Sequence, residues 1–247
     1  RRTQIVEFYE FNALVVGVDP MCFTELTADR RRGTLLTQGI DSTICGTAVH
    51  PSKSQLAIVA ASGTLQLWNF EEKRLMMVRI LNLKKETVKR PAQVPVILKY
   101  DPLGRFLAIG YSDGVLQLVD PSNLQDLPLC KMQESTSSIK HIELSFDGSM
   151  MIQVDEDRFV SLFMYTEDRE LFTAEAAGKL LAGDDDAVLA ALEQATGAWV
   201  FVGRSRLHKS DIVGIQFGVA GDGMNTILYD FVQCILNNHL TKLLSPF

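Results

Sequence analysis

Four histidines (His50, His141, His208, His239) and four cysteines (Cys22, Cys45, Cys130, Cys234) are the residues of this 247-residue chain best suited to hold a metal or attack a carbonyl. Their spacing argues against both. Zinc sites draw Cys and His ligands in short-range pairs, and neither C-x-x-C nor H-E-x-x-H occurs. The cysteines read instead as reduced thiols of an intracellular protein. Asp184, Asp185 and Asp186 offer carboxylates for calcium, but an EF-hand loop alternates its ligands and ends in Glu, whereas Ala187 and Val188 follow here. There is no G-x-x-x-x-G-K-[ST] phosphate cradle, no G-x-G-x-x-G after a strand and no G-x-S-x-G nucleophile turn. The expectation is a chain with no catalytic residue, no cofactor and no metal, and therefore not an enzyme.

Other side chains are suited to binding a partner. Residues 73–85 mix cations with apolar residues, among them Arg74, Met76, Met77 and Arg79. Alone, that composition resembles a calmodulin-target helix. Its place directly after a strand-like segment favours the outer strand of a sheet, with Met77, Arg79 and Leu81 alternating with Val78 and Ile80. In residues 224–247, Leu228, Val232, Leu236, Leu240 and Leu244 recur every four residues, which predicts a C-terminal helix able to dock. Residues 225–231 can alternatively be read as a strand. Residues 174–198 are Ala-rich and carry the three aspartates at the head of a helix-like run, where they suit the positive end of the helix dipole. They read as a loop insertion.

These candidates sit within a repeat. Residues 50–69 superpose without gaps on residues 101–120: Pro, Leu-Ala-Ile, Gly and Leu-Gln-Leu recur. A third copy spans residues 145–163, with Asp147-Gly148 at its first turn. Ile212, Ile215 and Phe217 repeat the spacing of Ile139, Ile142 and Leu144 and mark the first strand of a further unit. Val6-Glu7-Phe8-Tyr9 matches Leu65-Gln66-Leu67-Trp68, so the chain is expected to begin at the tail of an earlier unit. The closing position would then fall at Tyr9, Trp68, Val119 and Phe163.

Each unit reads as short antiparallel strands. Period-two alternation in Leu65-Gln66-Leu67-Trp68 suits a strand with one buried face. Ser62-Gly63 and Asp113-Gly114 are hairpin signals, because Gly accepts positive φ. Pro51 and Pro102 fall just after a first strand, where a missing donor costs little. Long loops are expected at residues 20–33 and at the basic stretch 84–93. A four-stranded unit recurring at roughly 40–45 residues is the pattern of a β-propeller blade. The expected fold is all-β: a propeller segment of about four blades over residues 1–223, with a helical insertion at 174–198 and a C-terminal helical segment at 224–247.

The turns at His50-Pro51 and Asp147-Gly148, the run Ser112-Asp113-Gly114 and the closing Leu67-Trp68-Asn69 and Leu118-Val119-Asp120 resemble WD-repeat propellers. That resemblance implies structural roles within blades for Trp68, Asp113, Gly114, Asp120, Asp147, Gly148 and His208. No unit holds an intact Trp-Asp pair, and the Gly of the family's Gly-His pair is missing before His208. Residues 199–212 and 215–219 are similar to the flagella-associated WD-repeat family, which supplies the WD-repeat subunit of the calmodulin- and spoke-associated complex of motile cilia. This second resemblance implies a non-catalytic scaffold in the axoneme of a cilium or flagellum. It would link a radial spoke base to doublet microtubules, with spoke proteins, calmodulin-associated complex subunits, calmodulin and tubulin as partners. The alternative is a WD-repeat adaptor of a vesicle-coat or intraflagellar transport complex.

Composition fits a protein-binding role. Hydrophobic residues make up 47% and charged residues 22%, and 30 acidic against 24 basic residues give a net charge of −6. A broad nucleic-acid-binding face is therefore not expected. Neither is a membrane partner, since no apolar run reaches the roughly 18 residues that span a bilayer. The chain starts at Arg1 and reads as a piece of something longer.

Overall fold

The computed structural model describes residues 3–9, 12–17, 22–26, 34–38, 42–88, 90–171, 173, 195–206, 209–219 and 226–230. Sheet I comprises β1 (Thr3–Tyr9), β2 (Asn12–Gly17), β3 (Cys22–Leu26) and β4 (Thr34–Gln38). Sheet II holds β5 (Ile44–Val49), β6 (Gln55–Ala60), β7 (Thr64–Asn69) and β8 (Arg74–Ile80). Sheet III holds β9 (Pro95–Tyr100), β10 (Leu107–Tyr111), β11 (Leu116–Val119) and β12 (Asp126–Met132). Sheet IV holds β13 (Ile139–Leu144), β14 (Met150–Asp155), β15 (Val160–Thr166) and β16 (Ala198–Ser205). Sheet V pairs β17 (Ile215–Val219) with β18 (Thr226–Asp230).

Every sheet is an antiparallel meander in sequence order. The first strands of successive sheets lie beside one another, β1 on β5, β5 on β9, β9 on β13 and β13 on β17. The all-β expectation and the repeated four-stranded unit therefore hold. The repeat extends to irregularities. A register shift interrupts the pairing of first and second strands at Ile44/Gly46 and again at Ile139/His141. Another interrupts third and fourth strands at Leu67/Trp68 and Leu162/Phe163.

The core lies between sheets rather than inside one. Leu107 and Ile109 pack toward sheet II with Val59, Leu65 and Leu67. Ala108, between them in sequence, packs the other way with Ile142, Met151 and Phe163 of sheet IV. Strand β10 is thus buried on both faces, all five residues. This is why it reads as a continuous apolar run and not as an alternation. Ile152 and Val154 continue the stacking onto Ile212 and Phe217.

Two expectations are corrected. Residues 6–9 are not the tail of a preceding unit: they lie in the first strand of a complete sheet, and β3 occupies part of the expected loop at 20–33. The closing position therefore does not include Tyr9. The C-terminal helix is contradicted at residues 226–230, where the alternative strand reading of residues 225–231 holds instead: Leu228 lies in β18, paired with Phe217 of β17. Period-four leucines do not enforce a helix when an open strand edge supplies backbone partners. Residues 231–247, and 174–194 of the expected insertion, lie outside the described residues; Ala198 and Trp199 already belong to β16. Among the described residues no helix is long and apolar enough to cross a membrane.

Candidate docking surface

Three equivalent turns link first to second strands, and each is closed by the same backbone bond: His50 N to Gln55 O, Asp101 N to Phe106 O, and Ser145 N to Met150 O, at 2.9, 3.0 and 2.9 Å. The residue at the head of each turn is buried, at 5%, 0% and 0% exposure, so its polar atoms need internal partners. Three side-chain types meet the need in one way, by accepting turn N–H groups. His50 Nδ1 accepts from Ser52 N (3.1 Å) and Lys53 N (3.2 Å). Asp101 Oδ2 accepts from Leu103 N (3.2 Å) and Arg105 N (3.1 Å). Ser145 Oγ accepts from Ser149 N (3.1 Å) and Met150 N (2.9 Å), and donates to Asp147 Oδ1 (2.5 Å).

The turns also brace one another. Arg105 forks onto both oxygens of Asp101, with Nε and Nη2 at 2.8 and 3.0 Å, and its Nη2 donates to Gly148 O of the next sheet at 2.8 Å. Gly148 sits at φ +65°, and a Cβ there would lie 2.0 Å from Arg105 Nη2. The Asp147-Gly148 pair is thus fixed by both backbone conformation and close approach. Hydrogen bonds from Ser145 and Ser149 hold the Asp147 carboxyl below the usual carboxylate range. Burial, with Lys53 nearby, pushes the His50 imidazole down, while a backbone hydrogen bond with Gly104 works the other way.

Two clefts open at this end. One of about 520 Å³ lies along Thr47, Ser52, Lys53, Ser54, Phe70 and Lys99. The other, of about 220 Å³, is bounded by Pro102, Glu143, Leu144, Phe146, Gln216 and Phe217. Val49, Pro51, Lys99 and Tyr100 line both, so the clefts adjoin across the ends of β5, β9, β13 and β17. Lys99 Nζ donates to Glu143 Oε2 at 2.8 Å between them. Phe146 is 62% exposed on the rim. The Tyr100 hydroxyl is buried without a hydrogen-bond partner, its ring edge-on to His50 at 5.0 Å, and burial pushes its ionisation up. An apolar pocket next to a polar one, with an exposed aromatic rim, suits an inserted protein segment.

The opposite end of β9 is organised around Asp113. Gln93 Nε2 donates to both its oxygens (2.9 and 3.1 Å) and Lys84 Nζ to Oδ2 (3.0 Å). Burial works to raise Asp113, but these donors outweigh it and hold the carboxyl low. Gly114 follows at φ +80°, where a Cβ would meet Ser135 O at 2.2 Å. A buried carboxylate, Asp155, accepts from Ser135 Oγ (2.7 Å), Phe159 N (2.9 Å) and Arg204 Nη2. Sequence reasoning missed Asp155 and the Asp101–Arg105 pair. The signal for both was an Asp at the end of a strand heading a tight turn.

The remaining predicted residues are dispersed. Trp68 Nε1 donates to Gln66 Oε1 at 2.9 Å. Asp120 Oδ1 accepts from Ser122 N at 2.7 Å, and Asn69 Oδ1 does the same for Glu72 N at 2.9 Å, so the residue after the closing position caps the turn into the fourth strand. Residues 74–80 form a strand, as the sequence favoured, and not a calmodulin-target helix. Within it Arg74 is exposed and paired with Glu72. Met76 and Met77 pack partly buried on the sheet II–III core. Arg79 pairs with Asp126 (2.6 Å) and donates to Leu124 O (2.7 Å), which ties β8 to sheet III. His208, Val232, Leu236 and Leu240 lie outside the described residues, and Leu228 is placed only as a strand position. Among the described residues no cluster of three or more His, Cys, Asp or Glu is arranged to hold a metal.

No family model matches the chain. It is similar to the cilia- and flagella-associated protein 251 of Tetrahymena thermophila, 26% identical over 215 residues that make up 85% of this chain and 19% of that protein. The Chlamydomonas reinhardtii protein of the same name is 24% identical over 217 residues, 88% of this chain and 22% of that protein. The Pongo abelii protein is 22% identical over 213 residues, 86% of this chain and 16% of that protein. The chain thus spans about a fifth of the length of the curated relatives it matches. These similarities support a ciliary or flagellar location.

Proposed function

We propose that the chain is a WD-repeat propeller segment acting as a non-catalytic docking subunit of the ciliary axoneme. It links a radial spoke base to doublet microtubules within a calmodulin-associated complex. The observation that carries the docking role is the end face where His50, Asp101, Arg105, Asp147 and Gly148 knit successive turns together beneath two adjoining clefts. A surface fixed before binding loses little conformational freedom when a partner arrives. Similarity to ciliary proteins along more than four fifths of the chain supplies the setting. Meanders stacked through their first strands support the propeller reading, since radial repetition leaves only short sheet edges open.

Cross-linking and mass spectrometry on intact axonemes test this. Lys53 and Lys99, at the clefts, are expected to cross-link to radial spoke or calmodulin-complex proteins. Recovery of vesicle-coat or intraflagellar transport subunits in their place overturns the axonemal reading and favours an adaptor.

A further inference from the structure

Residues 84–90 bring four cations, Lys84, Lys85, Lys89 and Arg90, against the single anion Glu86, in a chain whose net charge is −6. Of these, residues 84–88 and 90, which the structure describes, form a closed finger. Thr87 N donates to Arg90 O at 2.9 Å, and Arg90 N donates back to Thr87 O at 3.2 Å. Its base is pinned by Gln93, 7% exposed, whose N donates to Lys84 O (2.9 Å) and whose Oε1 accepts from Lys84 N (3.2 Å). The same Gln93 amide grips Asp113. Lys84 spends its charge on Asp113, while Lys85 and Arg90 stand exposed with no ion pair among the described residues. Val88 at the tip is fully exposed, and Ile80, where β8 ends beside the finger's root, is 76% exposed.

We propose that this finger is a docking site for an acidic, flexible segment of a partner protein that carries an apolar side chain among its carboxylates. The inference rests on the docking reading above and assigns the second end of the sheets a partner of defined charge. Clustered like charges repel one another and gain from an anionic partner, and a braced turn presents them without an ordering cost. Three observations favour a protein over other polyanions. Residues 84–93 contain no aromatic ring on which a base could stack. Lys84, Lys85 and Arg90 occupy one narrow turn, not the broad stripe a phosphate backbone needs. The finger is a turn with a single apolar tip, whereas membrane-surface binding calls for an amphipathic helix with a wide apolar face.

The test uses the whole chain and a fluorescein-labelled, glutamate-rich peptide with one central leucine, followed by fluorescence anisotropy. Binding is expected at about 50 mM salt and should weaken about tenfold at about 300 mM. The double variant Lys85→Glu/Arg90→Glu should raise Kd about tenfold, and Val88→Ser about threefold. Lys131→Glu, an exposed lysine on β12, should change it less than about twofold. Three results would overturn the proposal: no binding at about 1 mM peptide, equal weakening by Lys131→Glu, or tighter binding of oligouridylate or anionic vesicles than of the peptide. None of these depends on the axoneme cross-links, so the two readings fail separately.

Discussion

Strand β9 runs between two ends that the chain builds in opposite ways. Where it finishes, Asp101 is fully buried, its carboxylate accepts turn N–H groups and the Arg105 fork, and Arg105 reaches on into the next sheet. Where it begins, one buried carboxamide, Gln93, anchors a finger whose Lys85 and Arg90 face water. The first end holds sheets in register, and the second is carried by them. The difference shows how a stacked-sheet protein can separate the residues that fix its geometry from those free to meet a partner. A buried charge commits its neighbours, whereas an exposed one commits nothing.

If that contrast is right, the largest loss comes from Asp101→Ala. It strands two turn N–H groups and removes the fork that holds Arg105 over Gly148. Breaking a fully buried pair costs about 3–5 kcal/mol, and the half-exposed Arg105 head brings this down to about 3 kcal/mol. Urea denaturation measures it. A loss under about 1 kcal/mol would mean the turn is not what holds sheets III and IV together. Gly148→Ala comes next, at about 2 kcal/mol, from its positive φ and the Cβ set against Arg105. In the double variant the losses should fall short of their sum by more than about 0.5 kcal/mol, because both act through the Arg105 head.

The two ends should also part company with pH. The folded His50 imidazole titrates below its unfolded value of about 6.5, so its contribution is fully present above that pH and is lost as pH falls toward the folded value. The folded Asp113 carboxyl also lies below its unfolded value, near 3.9, so its contribution persists above that pH and drains away only as pH falls further. Of the two ends, only the His50 end should lower the urea midpoint from about pH 7.5 to 5.5. His50→Asn keeps a turn acceptor and does not titrate, so it should remove that part of the slope. Equal slopes in the two proteins would show that His50 does not carry it.

Much of the braced end was legible in the sequence, because turns are local. Pro51, Pro102, Asp147 and Gly148 announce where strands must reverse, and the gapless match of two segments gives the unit. What joins units was not legible. Arg105 reaching Gly148, or Arg79 reaching Asp126, depends on which sheets become neighbours, and local pattern does not encode that. The same limit explains the errors. Residues 6–9 resemble a third strand because Val6-Glu7-Phe8-Tyr9 alternates as Leu65-Gln66-Leu67-Trp68 does, and it is the place of β1 at the edge of sheet I, beside β5, that distinguishes them. The leucines from Leu228 onward have helical spacing, but backbone pairing with β17 decides the conformation of residues 226–230.

The finger should produce the smallest effect on stability. Lys85 and Arg90 are exposed and make no ion pair among the described residues, so no favourable contact is lost when they are reversed. Reversal turns a net of three positive charges on residues 84–90 into one negative, since Lys84, Lys89, Glu86 and two new glutamates remain. Mutual repulsion between the cations is relieved, while the Lys84–Asp113 pair and the Gln93 clamp at the root stay as they were. Lys85→Glu/Arg90→Glu should therefore leave the urea midpoint within about 0.5 kcal/mol of the parent chain. Gln93→Ala in the same assay should cost about 2 kcal/mol, because it strips two bonds from a half-buried carboxylate and removes the buried clamp on Lys84. A finger whose tip is silent and whose root is not is a mounted device. If the reversal destabilises the chain as much as Gln93→Ala, the cations belong to the fold and the contrast between the two ends of β9 fails.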